Sequence, residues 1–202
     1  MRSVLLFPYV APVVALAYTW ELLLDPTSGT LNSLLINYQI IQEPINLLGQ
    51  KYITLNILGF DLKLRLALTT VIVFEIWRYF PLAFLFILAR LQAVPKELYE
   101  AADVDGADPL QKFLNITLPQ ILAVISILFM IRFIWNFNKF EDIFLLTGGA
   151  SGTRTLPINV YQQGFSIGDI GMGSAVSLVI VAFLLIFMFV YFRLLGKRAN
   201  EN

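Results

Sequence analysis

The sequence predicts an all-α integral membrane protein with four transmembrane helices, and three observations carry that expectation. The first is composition: 58% of the 202 residues are hydrophobic and 14% charged, with a mean hydropathy of +0.75. Soluble domains are about 45–50% apolar and about 25% charged, and a chain this short has too little interior to enclose the surplus. The second is length: four stretches are long and apolar enough for a hydrocarbon core, which takes about 20 helical residues. The third is the segment between the second and third stretches, which carries start, stop and face signals for two short helices. The same composition excludes several classes. Fourteen basic and fourteen acidic residues give zero net charge, which leaves no electrostatic footprint for nucleic acid. There is no Cys and no His, so thiol nucleophiles, His-based proton transfer and the commonest zinc and haem ligands are all missing. An intramembrane enzyme needs neither residue, but no paired carboxylates converge on a plausible site, so no catalytic residue, metal site or cofactor is expected.

The first predicted span covers about residues 4–24, with no charge between Arg2 and Glu21. Pro8 and Pro12 lie inside it, as membranes allow where neighbouring groups re-satisfy the backbone. Its apolar run exceeds that of a signal peptide and no small-x-small cleavage site follows, so it reads as a retained span. The loop over about 25–65 is broken into short pieces by Pro26, Gly29, Pro44, Gly49 and Gly59. A second span over about 66–89 is interrupted by Glu75 and Arg78, and a third over about 119–138 by Arg132. The fourth, about 170–192, is the cleanest, with no charge between Asp169 and Arg193. Four spans put both termini on one side. With the loop between the second and third spans, that side holds Arg2, Arg90, Lys96, Lys112, Arg193, Lys197 and Arg198. The other side holds Lys51, Lys63, Arg65, Lys139 and Arg154, so the positive-inside bias makes the termini and the second loop cytoplasmic.

That loop, about residues 92–118, specifies helix, sharp turn, helix. Pro95 suits a first helical turn, where its missing N–H costs nothing, and Glu97 and Glu100 favour the positive end of the helix dipole. Leu98, Ala101 and Ala102 share one face at three- and four-residue spacing. Gly106 stops the helix, being the residue best able to adopt left-handed angles. Asp108 then offers an N-cap, Pro109 a first helical position and Gln111 a capping-box partner, ahead of an apolar stripe at Leu110, Phe113 and Leu114. Small alanines on a short exposed helix permit close approach of another protein. An amphipathic hairpin lying on the membrane, or on its own bundle, accounts for the same residues.

Glu100-Ala101-Ala102, three residues, Gly106, nine residues, Ile116, one residue and Leu118-Pro119 resemble the EAA motif of binding-protein-dependent ABC importer permeases at every fixed position. Phe7–Trp20, the Gly29–Asn32 turn, Ile76–Pro95, Leu146–Pro157 and the YQQGF run ending at Phe165 are similar to the sugar-type branch, which includes maltose and glycerol-3-phosphate systems. Permeases of that branch usually have six spans, and the similarity begins near their third, so the chain resembles their C-terminal two-thirds. The resemblance implies a single MetI-like permease core over residues 1–202 in the cell membrane, forming a translocation path for a carbohydrate or related small solute. It implies an ATP-binding subunit docked on Glu100, Ala101, Ala102, Asp103, Gly106 and Ala107, a second permease subunit and an extracytoplasmic solute-binding protein. ATP chemistry belongs to the partner, because the Gly-rich run Gly148–Gly152 lacks the lysine and hydroxyl of a phosphate loop.

Charges inside spans are costly and default to pairing or function. Glu75 and Arg78 are spaced to pair on one helix face, while Arg132 either lines the solute path or pairs with Glu75 from another helix. Asn136 shares a face with Arg132, and with Asn138 is assigned to the path; Trp135 and Tyr79 are candidates for stacking against a sugar ring. Interfacial aromatic belts account for those two rings as well. Gly168, Gly171, Gly173, Ser174 and Ala175 make a small-residue start to the last span, suited to close packing against a partner permease. The competing function is a stand-alone secondary transporter or channel, with Glu75 as its coupling site.

Overall fold

The structure is a computed structural model and describes residues 5–57 and 60–199. Arg2, Val4 at the start of the first predicted span, and Gly59 lie outside the described residues. The helical expectation holds. Helix α1 is Phe7–Val10, α2 Val13–Leu24 and α3 Thr30–Asn37. Strands β1 (Ile53–Ile57) and β2 (Phe60–Leu64) follow, then α4, Leu66–Gln92. Helix α5 is Lys96–Val104, α6 Pro109–Lys112 and α7 Leu118–Phe137, with a π-helical turn, Phe113–Thr117, joining α6 to α7. Helices α8 (Glu141–Thr147) and α9 (Leu156–Tyr161) lead through a second π-helical turn, Gln162–Ile167, into α10, Ile170–Ala199.

Three of the four predicted spans are uninterrupted apolar helices long enough to cross a membrane: Leu66–Gln92, Pro109–Phe137 and Ile170–Arg193. The first predicted span is broken. Ala11 is extended (φ −64°, ψ 146°), and α2 starts after Pro12, leaving a 12-residue apolar helix. The cause is local: proline's Cδ disfavours helical angles in the residue before it. On the three long helices most side chains are uncovered, as at Leu178 (70% exposed), Leu185 (62%) and Phe189 (68%). Hiding each such side chain from water is worth about 1.5–3 kcal/mol, so an uncovered row of them belongs in lipid. The chain is a multi-pass, membrane-embedded protein.

The fold divides into two compact units. One holds residues up to Ala11 and Phe74–Phe133, and therefore α1, most of α4, the arm formed by α5 and α6, and most of α7. Phe74, Ile121 and Leu128 are buried there, as is Val94 just before the arm. The other unit holds Pro12–Val73 and the chain from Ile134 onward. Its core gathers Leu16, Ala17 and Leu24 of α2 with Ile143 and Leu146 of α8 and Ile158 of α9.

In this second unit the long loop after α2 is built rather than slack. Asn32 is buried and bridges two segments: its Nδ2 donates to the Ile45 carbonyl (3.0 Å), and its Oδ1 accepts from the Ile45 N–H (3.0 Å). The antiparallel hairpin pairs Ile53 with Leu64 through to Ile57 with Phe60. Its base is tied to α4 by the Leu66 N–H on the Lys51 carbonyl, 3.2 Å. Helix α10 opens by packing closely on its own chain. A Cβ on Gly173 would sit 3.3 Å from both the Gly164 nitrogen and the Val160 oxygen, so this glycine serves a close intrachain contact.

Candidate functional site

The arm between α4 and α7 forms as its residues dictate. Pro95 stands just before the first helical residue, as the extended N-cap (φ −58°, ψ 134°), and Glu97 occupies the first turn of α5. Asp105 caps the C-terminus. Beyond it, Gly106 has φ +74°, the Gly106 N–H donates to the Asp103 carbonyl (3.1 Å), and the Ala107 N–H donates to the Ala102 carbonyl (2.9 Å). That bond pair defines a left-handed glycine C-cap. No atom lies within 4 Å of where a Cβ would be, so backbone angle alone selects glycine within this chain. Asp108 then closes a full capping box: Oδ1 accepts from the Gln111 N–H (2.8 Å), and Gln111 Oε1 accepts from the Asp108 N–H (3.0 Å). Asp108→Ala should destabilise this turn by about 1 kcal/mol. The expected result is about fivefold faster tryptic cleavage beside Lys112 in the solubilised protein, with Asp108→Ser cleaved at the original rate.

None of the residues of α5 is buried. Glu100, Ala101, Asp103 and Gly106 are exposed, and Ala102 and Ala107 half-exposed. Val104 (88% exposed) and Leu110 (64%) extend the same arm with uncovered apolar side chains. Asp103 forms an ion pair with Lys112 of α6, which spans the turn. The six residues predicted for docking thus lie together on α5 and the turn that follows it, none of them buried.

The in-span charges form a second group in the same unit. Arg132 Nη2 lies 3.5 Å from Glu75 Oε2, with both side chains largely buried. The Arg132 guanidinium carbon sits 3.8 Å from the centroid of the Tyr79 ring, with Arg78 at 5.3 Å from it. Tyr9 of α1 meets Tyr79 edge-on at 6.0 Å. Of the alternatives for Arg132, the interhelical pair with Glu75 is therefore formed, with Tyr79 as a cation–π partner.

Trp135, Asn136 and Asn138 belong to the other unit. Trp135 and Asn136 are exposed, and the Asn138 Nδ2 donates to the Ile134 carbonyl at 3.1 Å. Asn138 also lines a cavity of about 350 Å³ with Phe140, Tyr161, Phe165 and Ser177. Rings meet along it in tilted pairs, Phe140 with Tyr161 at 5.2 Å and Tyr161 with Phe165 at 5.5 Å. Outside the spans, Asp25 Oδ1 accepts from the backbone and hydroxyls of Thr27 and Ser28. Those donors, led by the Thr27 hydroxyl, hold its carboxyl well below the usual carboxylate range.

Spacing alone did not identify Tyr99, Thr117, Arg90 or Gln120, yet these side chains anchor the arm. Tyr99 Oη and Thr117 Oγ1 are 2.8 Å apart, and Arg90 Nε donates to the Gln120 carbonyl at 3.1 Å.

Membrane-length apolar helices with a capped helix–turn–helix arm set between two of them define a multi-pass membrane protein of distinctive build. The chain belongs to the family of binding-protein-dependent transport system inner membrane components, which matches residues 1–200. It is 34% identical over 201 residues to the inner membrane ABC transporter permease protein YcjO of Escherichia coli (strain K12), covering 100% of this chain and 62% of that one. It is 32% identical over 194 residues to the trehalose/maltose transport system permease protein MalF of Thermococcus litoralis, covering 96% and 61%. The chain thus spans about three-fifths of the length of these curated relatives. Among solved structures, a bacterial alginate ABC transporter in complex with an alginate pentasaccharide-bound periplasmic protein is similar in fold. The TM-score is 0.77 at 24% identity, over 94% of this chain and 62% of that one.

Proposed function

We propose that this chain is the transmembrane permease subunit of an ABC importer, forming the path for a carbohydrate or related small solute. Both termini and the α5–α6 arm face the cytoplasm. There Glu100, Ala101, Ala102, Asp103, Gly106 and Ala107 dock onto an ATP-binding subunit that hydrolyses ATP. A second permease subunit completes the path, and an extracytoplasmic binding protein delivers solute. The observation that carries this reading is the arm itself: a glycine-capped helix with no buried residue, bearing small side chains, set between two spans. A channel or secondary carrier has no need of such an element. Closure of the ATP-bound partner would draw on the arm and rock the attached spans, a rigid-body transition. The carbohydrate assignment draws on relatives described as trehalose/maltose and trehalose transport system permeases. Arg132, Asn136, Asn138, Tyr79 and Trp135 are proposed to line the path, where planar guanidinium, amide and ring faces suit a polyhydroxylated solute.

The chain has no cysteine, which makes a topological test direct. Ala101→Cys should react with a membrane-impermeant maleimide in inside-out vesicles and not in intact spheroplasts, and should cross-link to the ATP-binding subunit. Labelling in spheroplasts would overturn the orientation and the docking role together.

A further inference from the structure

Helix α5 has nine residues, and isolated helices shorter than about 12–15 are marginal in water. None of its residues is fully buried, so apolar packing contributes little to holding it in place. Its position must come from specific tethers. The Asp103–Lys112 ion pair is one, but Asp103 is 65% exposed, and exposed pairs contribute little. The Tyr99–Thr117 hydrogen bond is different: both residues are half-buried, and the bond joins the middle of α5 to the last residue of the π-helical turn that opens the third span. Threonine in a helix usually spends its hydroxyl on a carbonyl of its own preceding turn. At the π turn, where the Leu118 N–H reaches back to the Phe113 carbonyl, the Thr117 hydroxyl meets Tyr99 instead. Such turns occur mostly as single insertions at functional positions. A second tether lies at the other root of the arm. Arg90, at the end of α4, holds Gln120 in the first turns of α7 through both its backbone carbonyl and its side-chain amide oxygen.

We propose that Tyr99 and Thr117, backed by Arg90 and Gln120, form a latch that makes α5 and the foot of the third span one rigid body. These are positioning residues for force transmission. The inference rests on the reading that α5 docks onto an ATP-binding subunit, and it adds how displacement of α5 reaches the membrane. Without the latch, the left-handed turn at Gly106 and the non-helical link at Val94 and Pro95 act as hinges, and α5 moves alone.

The test uses the whole transporter complex in proteoliposomes, with spin labels at Ile127→Cys and Leu185→Cys, both exposed in the structure. The probe is ADP with vanadate, which traps the ATP-binding subunits and needs no knowledge of the solute. The unsubstituted complex should show a change in label separation on trapping. Tyr99→Phe and Thr117→Val each remove one hydroxyl without changing shape. Each should lower the ratio of latched to unlatched arm about fivefold, the scale of one net hydrogen bond. The trapped distance peak should shrink accordingly, with retention of the ATP-binding subunit and its basal hydrolysis unchanged. Thr117→Ser, which keeps the hydroxyl, should restore the peak. A full-sized distance change in both Tyr99→Phe and Thr117→Val overturns the latch. Loss of the ATP-binding subunit from the unsubstituted complex, or no distance change in it, would instead defeat the docking reading, and the latch with it.

Discussion

If the α5 arm docks as proposed, Gly106→Val should uncouple ATP hydrolysis from movement of the membrane helices while leaving insertion intact. The glycine holds φ +74°, where a side chain's Cβ crowds the following carbonyl at a cost of about 1–2 kcal/mol, with β-branching adding to it. The variant escapes that cost by giving up the turn. It then loses the two bonds that close α5, from Gly106 N–H to Asp103 and from Ala107 N–H to Ala102. The chain between Asp105 and Asp108 would run in another direction, and the face carrying Glu100 and Ala101 would be turned from its partner. A cost of 1–2 kcal/mol corresponds to about a five- to thirtyfold loss of the docking-competent arm. Vanadate-trapped distance changes in the spans, measured beside basal hydrolysis, read this as the first falling while the second persists. Gly106→Asn should retain most of the response, because asparagine tolerates the left-handed region. The space beyond Gly106 is open within this chain, so a Val variant with full response would mean that neither the turn nor that space serves a partner.

The arm was legible in the sequence because its signals are local. Pro95, Gly106, Asp108, Pro109 and Gln111 each fix a cap or an angle within a few residues, and the structure realises them with a shift of one position at Pro95. The break at Ala11 and Pro12 follows an equally local rule, which the apolar continuity of residues 4–24 outweighed in the reading of that span. The hairpin at 53–64 reads only as part of the loop over about 25–65, because Pro26, Gly29, Pro44, Gly49 and Gly59 punctuate that stretch. Its five-residue strands alternate apolar and polar side chains, which was the available signal. The latch was out of reach, since Tyr99 and Thr117 stand 18 residues apart, and Arg90 and Gln120 stand 30 apart. No periodicity marks such pairs; only the closing of the arm brings them together. The same holds for Gly173, whose small size serves the approach of Val160 and Gly164 from an earlier helix.

Glu75→Ala should be the most damaging single change in the molecule. It removes the carboxylate 3.5 Å from Arg132, which lies in the last turns of α7. Breaking one side of a buried pair costs about 3–5 kcal/mol, and a central arginine alone costs about 2.5–3.5 kcal/mol on insertion scales. Tyr79 offsets only part of this, because a desolvated cation–π contact contributes about 2 kcal/mol and is present already. The expected result is a fall of about 10 °C or more in the melting temperature of the solubilised protein, with reduced yield from membranes. The double variant Glu75→Leu/Arg132→Met decides what the pair is for. Apolar replacement of a whole buried pair is often neutral or stabilising, so stability should return in the double variant. Solute-stimulated hydrolysis, with the complex loaded by its binding protein, is then the discriminating measurement. If it stays low after stability has recovered, the pair serves the path as well as the fold. If it recovers too, Arg132 is a structural clamp and the solute is held elsewhere. Single variants melting within about 2 °C of the parent would show that lipid or water already solvates both charges, and that the pair is incidental.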